Sequence, residues 1–303
     1  MHLRKYWIDR RVYEYFAVNI APLLGWRNPT LIYQMGGVGS SSIRNSLFRC
    51  RDPRTRLVLM SHEFFAVRNR DPGSIDVEPR YREHALREIE FDKRHFASLP
   101  FLRKTGLLLR KKFYTERIYK AFVRSGEPCK VITLVRDPVA ANVSLFFQVF
   151  SKYAGTGKRA TDCDVSELMR IFIDSYQHAR PLIWFDCEFK ATLGIDVYES
   201  PFPADAGQLQ ISSGNIDVLI LRCELDDAAK SRAIRNFTGL DNFDIVRSNV
   251  ALEKPYAARY AEFKEALCLP VSLLDDIYTS KYARHFLPRT NASDCARRGD
   301  TLD

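Results

Sequence analysis

The run Thr30-Leu31-Ile32-Tyr33-Gln34-Met35 leads directly into Gly36-Gly37-Val38-Gly39 and then into three serines, Ser40 to Ser42. A short apolar run that stops at turn residues reads as a buried parallel strand. Beyond the serines, Ile43, Leu47 and Phe48 share one helical stripe. The unit is therefore strand, glycine-rich loop, helix. Parallel strands need crossover connections, so this unit commits the chain to alternating strands and helices.

The same alternation continues downstream. Strands are expected from about Arg56 to Met60, over Lys130 to Val135 and over Ile216 to Leu221. Helical patterns fill Pro79 to Arg124, with breaks near Pro100 and Gly106, then Val139 to Phe150, Val165 to Ala179, Asp226 to Asn236 and Pro255 to Leu267. A last helix opens at Val271 and carries Tyr278 and Tyr282. Periodicity fades between Trp184 and Gly214, a stretch holding Gly194, Pro201, Pro203 and Gly207, which reads as an irregular insertion with short strands. The expectation is α/β: one three-layer domain over residues 1–303 with a mostly parallel central sheet. Residues 1–28 form an N-terminal extension and 184–214 the insertion.

In such sheets ligands bind beyond the carboxyl ends of the strands. The glycine loop, His62, Arg136 and Arg222 all fall at those ends. The net charge of +9 attracts anions such as nucleotides, glycans or membrane surfaces. No nucleic-acid-binding signature accompanies it. The seven cysteines are odd in number and contain no C-x-x-C pair, so reduced thiols, a cytoplasmic location and no structural metal are expected. The apolar stretch from Tyr15 to Trp26 is broken by Asn19 and Pro22 and is too short to span a bilayer. It reads neither as a transmembrane segment nor as a signal peptide, though its amphipathic character allows contact with a membrane surface.

Glycines let the loop backbone adopt positive φ, and the helix start beyond it offers unpaired N–H groups and the positive end of a dipole. Phosphate binding is one reading of Gly37 to Ser42. A plain turn with Ser40 as N-cap is the other. The loop lacks the Gly-Lys-Ser/Thr ending of a Walker motif and the third glycine of a dinucleotide fingerprint. At the end of the third strand, Arg136 can fork two donors onto a phosphate, with Ser144 about two helical turns further on. Local pairing of Arg136 with Asp137 or Asp186 is the alternative. Asp137 and Pro138 fit the cap and first turn of the next helix. His62 can serve as a general base or as a packing residue beside Glu63.

Tyr33 to Ile43 resembles the 5′-phosphosulfate loop of sulfotransferases that use 3′-phosphoadenosine-5′-phosphosulfate (PAPS). Val131 to Pro138 with Ser144 resembles their 3′-phosphate element. More closely, the chain is similar to bacterial proteins labelled as capsular polysaccharide synthesis proteins, a sulfotransferase-like family. That similarity takes in Trp184-Phe185-Asp186, Gly194 to Tyr198 with Pro201-Phe202, Leu221 to Glu224, Tyr278 to Tyr282 and His285-Phe286. The resemblance implies a P-loop-like sulfotransferase architecture, PAPS as donor with PAP as product, no metal, and a sugar hydroxyl as acceptor. It assigns Gly37, Val38, Gly39, Ser40, Ser41 and Ser42 to the 5′-phosphosulfate, Arg136 and Ser144 to the 3′-phosphate, and His62 to catalysis. The family loop carries a basic residue, commonly lysine, where this chain has Gly37. Arg44 or Lys281 is the expected substitute cation; the alternatives are a PAP-, PAPS- or glycan-binding protein without turnover, or another capsule-assembly transferase.

Overall fold

A computed structural model describes residues 13–50, 52, 54, 57–62, 64, 76–155, 157–247 and 254–288. Its centre is a five-stranded sheet in the order β2-β1-β3-β5-β4. The strands are β1 (Thr30–Tyr33), β2 (Val58–Ser61), β3 (Cys129–Val135), β4 (Gln208–Ser213) and β5 (Ile216–Arg222). Strands β2, β1, β3 and β5 run parallel, with Tyr33 beside Ser61 and Val135 beside Arg222. Their carboxyl ends consequently lie along one rim.

Consecutive residues of a strand face opposite sides of the sheet, so burial of a continuous run means that both faces are covered. Leu31, Ile32, Val131, Ile132 and Val218 to Leu221 are all fully buried. The layered α/β reading holds to that extent. The edge strand β4 is different: it pairs antiparallel with β5 and alternates between exposed and half-buried residues.

The helices that position the site follow the strands. Helix α1 (Ser40–Arg49) leaves the glycine loop, and α2 (Pro79–Ser98) and α3 (Phe101–Arg110) follow β2. The break expected at Pro100 is present, whereas the helix runs through Gly106 without interruption. Helix α4 (Pro138–Val149) leaves β3, with Asp137 Oδ1 accepting from the Ala140 N–H at 2.9 Å and Pro138 in the first turn. Helix α5 (Val165–Ser175) ends four residues earlier than the periodicity suggests.

Part of the stretch expected to be irregular is helical instead. Helix α6 (Arg180–Trp184) continues through a wide π turn over Phe185–Lys190 to Leu193. Phe185, Asp186, Glu188 and Phe189 are buried there. A π turn shifts the helical spacing of buried positions, which hides the pattern from a 3.6-residue search. Helices α7 (Asp227–Thr238), α8 (Ala257–Ala266), α9 (Val271–Tyr278) and α10 (Lys281–Phe286) complete the described fold. The single helix expected after Val271 is two, because Ser280 caps α10 through the Ala283 N–H. Among the described residues, no helix is long and apolar enough to cross a membrane.

Candidate functional site

Gly37 and Gly39 both carry left-handed φ, at 81° and 78°. Gly39, not Ser40, occupies the N-cap of α1, and no side chain caps that end. Ser40 is buried as the first helical residue. The loop lies against α4. A Cβ on Gly36 would meet Leu145 Cδ1 at 2.8 Å, and one on Gly37 would overlap the Ala141 carbonyl oxygen.

Arg136 reaches back to this loop from the end of β3. Its Nη1 donates to the Gly37 carbonyl at 2.9 Å, and among the described residues it forms no ion pair with Asp137 or Asp186. Its backbone is gripped by Tyr282, whose buried hydroxyl accepts from the Arg136 N–H at 3.0 Å and donates to the Arg136 carbonyl at 2.9 Å. Next to it, the Tyr278 hydroxyl donates to Asp137 Oδ2 at 2.8 Å. Burial pushes the Asp137 carboxyl above its ordinary range.

A cavity of about 1720 Å³ opens over this rim. Gly36 to Ser42, His62, Arg136 and Ser144 all line it, although Gly37 and Arg136 are 99 positions apart in the chain. Small-molecule sites are commonly about 300–1,000 Å³, so the space exceeds what one nucleotide needs. The rim order is set by the sheet: His62 after β2, the loop after β1, Arg136 after β3, Cys223 and Glu224 after β5. The lining also includes Glu88, Asp92, Lys93, Lys111 and Arg180. Several of its charges are already matched, Arg180 Nε with Glu88 at 3.2 Å and Lys152 with Asp92.

His62 is exposed, and its Nδ1 sits 3.1 Å from the Gln34 carbonyl. A carbonyl only accepts, so this contact puts the proton on Nδ1 and the ring lone pair on Nε2. The His62 carbonyl in turn accepts from Trp184 Nε1 at 3.1 Å. Glu63, the neighbouring carboxylate, lies outside the described residues. Cys223 Sγ would lie 3.5 Å from a Cβ on Gly39, and burial raises its thiol pKa.

Three expectations are corrected. Lys281 does not reach the loop: its Nζ pairs with the buried Asp186 at 3.1 Å and lies 3.9 Å over the Tyr198 ring. Arg44 turns to Glu14 at 3.8 Å and to Asn45 Oδ1 at 3.0 Å. Neither lines the cavity. Arg222 also turns away, donating to the Ala204 carbonyl at 2.9 Å. The missing basic residue cannot be restored at position 37 either, because positive φ and the Ala141 carbonyl leave no room for a side chain.

Sequence reasoning missed the supports of the site. Tyr278 and Tyr282 appear in the sequence as members of the last helical pattern, but their hydroxyls hold the Arg136-Asp137 backbone and cap. Glu188 was not singled out; its buried carboxylate accepts from the Tyr33 hydroxyl at 2.7 Å and from the Phe64 N–H. A carboxylate among Phe185 and Phe189 was the available signal, since buried charge demands partners. Asp162-Cys163-Asp164 has the D-x-D spacing of metal-dependent transferases. In the fold Asp162 pairs with Arg159 at 3.0 Å and Asp164 caps α5 through the Glu167 N–H at 2.7 Å, both away from the cavity.

Residues 163–288 match one family model. Its description is "Putative capsular polysaccharide synthesis protein" (NKWYS), and the match spans less than half of the chain. The matched stretch begins after both the glycine loop and Arg136 and contains their supports, Trp184, Glu188, Tyr278 and Tyr282. No curated protein and no solved structure matches the chain.

Proposed function

We propose that the chain transfers a sulfuryl group from PAPS to a hydroxyl acceptor, a sugar of a surface polysaccharide. One observation carries the reading: the loop and the strand-end arginine that resemble the two PAPS elements line one cavity and are hydrogen-bonded to each other. The N–H groups at the start of α1 would receive the 5′-phosphosulfate, with Val38 packed beneath the loop. Arg136 and Ser144 would receive the 3′-phosphate, Arg136 through the guanidinium donors not directed at Gly37. The acceptor would enter from the wall formed by α2 and the chain after α3.

In this reading the acceptor oxygen attacks sulfur, the bond from sulfur to the phosphate oxygen breaks, and PAP departs. His62 Nε2 takes the acceptor proton. The capsule family description supports a saccharide acceptor, and the six described cysteines, all free, fit a reducing compartment such as the cytoplasm. A second reading is a PAP- or glycan-binding protein without turnover. Gly37 favours it, because the loop sequence carries no basic residue and position 37 has no room for one.

The test is calorimetry with PAP and ATP, then single-turnover transfer from radiolabelled PAPS to an oligosaccharide panel. The proposal expects PAP to bind more tightly than ATP and label to reach an acceptor. His62→Ala should lower transfer about 10²–10⁴-fold and leave PAP affinity unchanged. PAP binding without transfer selects the binding protein, and binding of neither nucleotide removes both nucleotide readings.

A further inference from the structure

Helix α3 buries none of its residues. Its apolar side chains are exposed: Phe101 is 79% exposed, Leu102 83%, Leu108 and Leu109 50% each. A helix in a soluble domain ordinarily turns such residues to the core. Seven-residue spacing sets Phe101 above Leu108 and Leu102 above Leu109 on one stripe. The same spacing sets Arg103 above Arg110 on the neighbouring stripe. From Phe101 to Thr115 the sequence holds five basic residues and no acidic one.

A second apolar element adjoins this helical run. The backbone is helical over 13–19, and Leu23 and Leu24 in the following turn are 84% and 61% exposed. Asn19 Nδ2 ties this segment to the Phe113 carbonyl at 3.3 Å. Exposed apolar side chains grouped along one helix in this way mark an interaction site.

We propose that α3 docks the protein on an anionic lipid surface. Charge decides the occupant. A helix with an apolar stripe and a basic one binds in the plane of a bilayer interface, driven by apolar burial and by attraction to anionic headgroups. A second copy of the chain is disfavoured, because a two-fold interface sets the same patch against itself and would oppose its cations. Leu107, Leu108, Arg110 and Lys111 also line the cavity. The docked helix is thus part of the cavity wall, and an acceptor held at the lipid surface would meet the cavity at its edge.

Vesicle flotation of the full chain tests this, with pure phosphatidylcholine vesicles against vesicles containing phosphatidylglycerol. The wild type should float with the anionic vesicles at ~0.1 M salt and be released at ~1 M, where screening shortens to about 3 Å. Leu102→Glu with Leu109→Glu should reduce flotation about tenfold or more, with unchanged melting temperature. Should that variant misfold, Arg103→Gln with Arg110→Gln provides the independent arm and should weaken anionic binding by a similar factor. Wild type that stays off anionic vesicles, or floats equally with neutral ones, overturns the proposal. So does a wild-type dimer in light scattering that Leu102→Glu converts to monomer, since a second copy would then cover the face.

Discussion

Two strand-to-helix turns lie side by side on the rim and solve the same problem differently. After β3, the chain supplies its own anion: the Asp137 carboxylate accepts from the first turn of α4, and Tyr278 holds the carboxylate in turn. After β1, the chain supplies nothing: Gly39 holds the N-cap position and no side chain caps α1. Every helix start leaves N–H groups without helical partners. The β3 turn satisfies part of that demand internally and directs Arg136 to the neighbouring loop. The β1 turn leaves that helix start without a side-chain cap and lining the cavity.

The largest effect should come from closing the loop. Gly37→Ala forces a β-carbon onto the Ala141 carbonyl at positive φ. Strain and overpacking together should cost about 2–5 kcal/mol of stability and abolish PAP binding, read by denaturant unfolding and calorimetry. A Gly37→Ala protein as stable as wild type would mean that loop and helix are not locked together.

Arg136→Ala and Asp137→Ala should then separate the two turns. Removing Arg136 deletes charged donors, so PAP affinity should fall by on the order of tenfold to several hundredfold, from roughly 1.5–3 kcal/mol. Removing Asp137 deletes a cap, so stability should fall by about 0.5–2 kcal/mol while PAP affinity changes little. An Asp137→Ala protein that keeps its stability and loses PAP would reverse the assignment of roles.

The smallest effect is one of pH. Burial raises the folded pKa of Asp137 above its unfolded value, so its contribution is fully present below the unfolded pKa and declines as pH rises through the folded one. The substitution Asp137→Asn keeps an acceptor without the charge. Its stability relative to wild type should therefore rise as pH rises through that window. Denaturant unfolding of both proteins from about pH 3 to about pH 7 spans the carboxylate range, and parallel stability curves there would contradict the expectation.

The loop and the capped turn were legible because their chemistry is local. Gly36 to Ser42 and Arg136-Asp137-Pro138 each carry their instruction within a few residues. The partners of charges were not legible. Lys281 finds Asp186 and Arg44 finds Glu14 through the fold, and nothing in the spacing of either pair announces it. The helical path from Arg180 to Leu193 was hidden by its π turn, and the outward face of α3 by a pattern that looks like any core-facing helix. A periodic stripe says that apolar residues share a side, not what that side meets.

The grip of Tyr282 on the Arg136 backbone joins residues 146 positions apart. At translation rates of about 5–20 residues per second, α10 emerges roughly 7–30 s after β3. During that interval the nascent chain holds the glycine loop and the arginine without the hydroxyl that fixes them. The Arg136 backbone is therefore gripped only once the C-terminal helices dock.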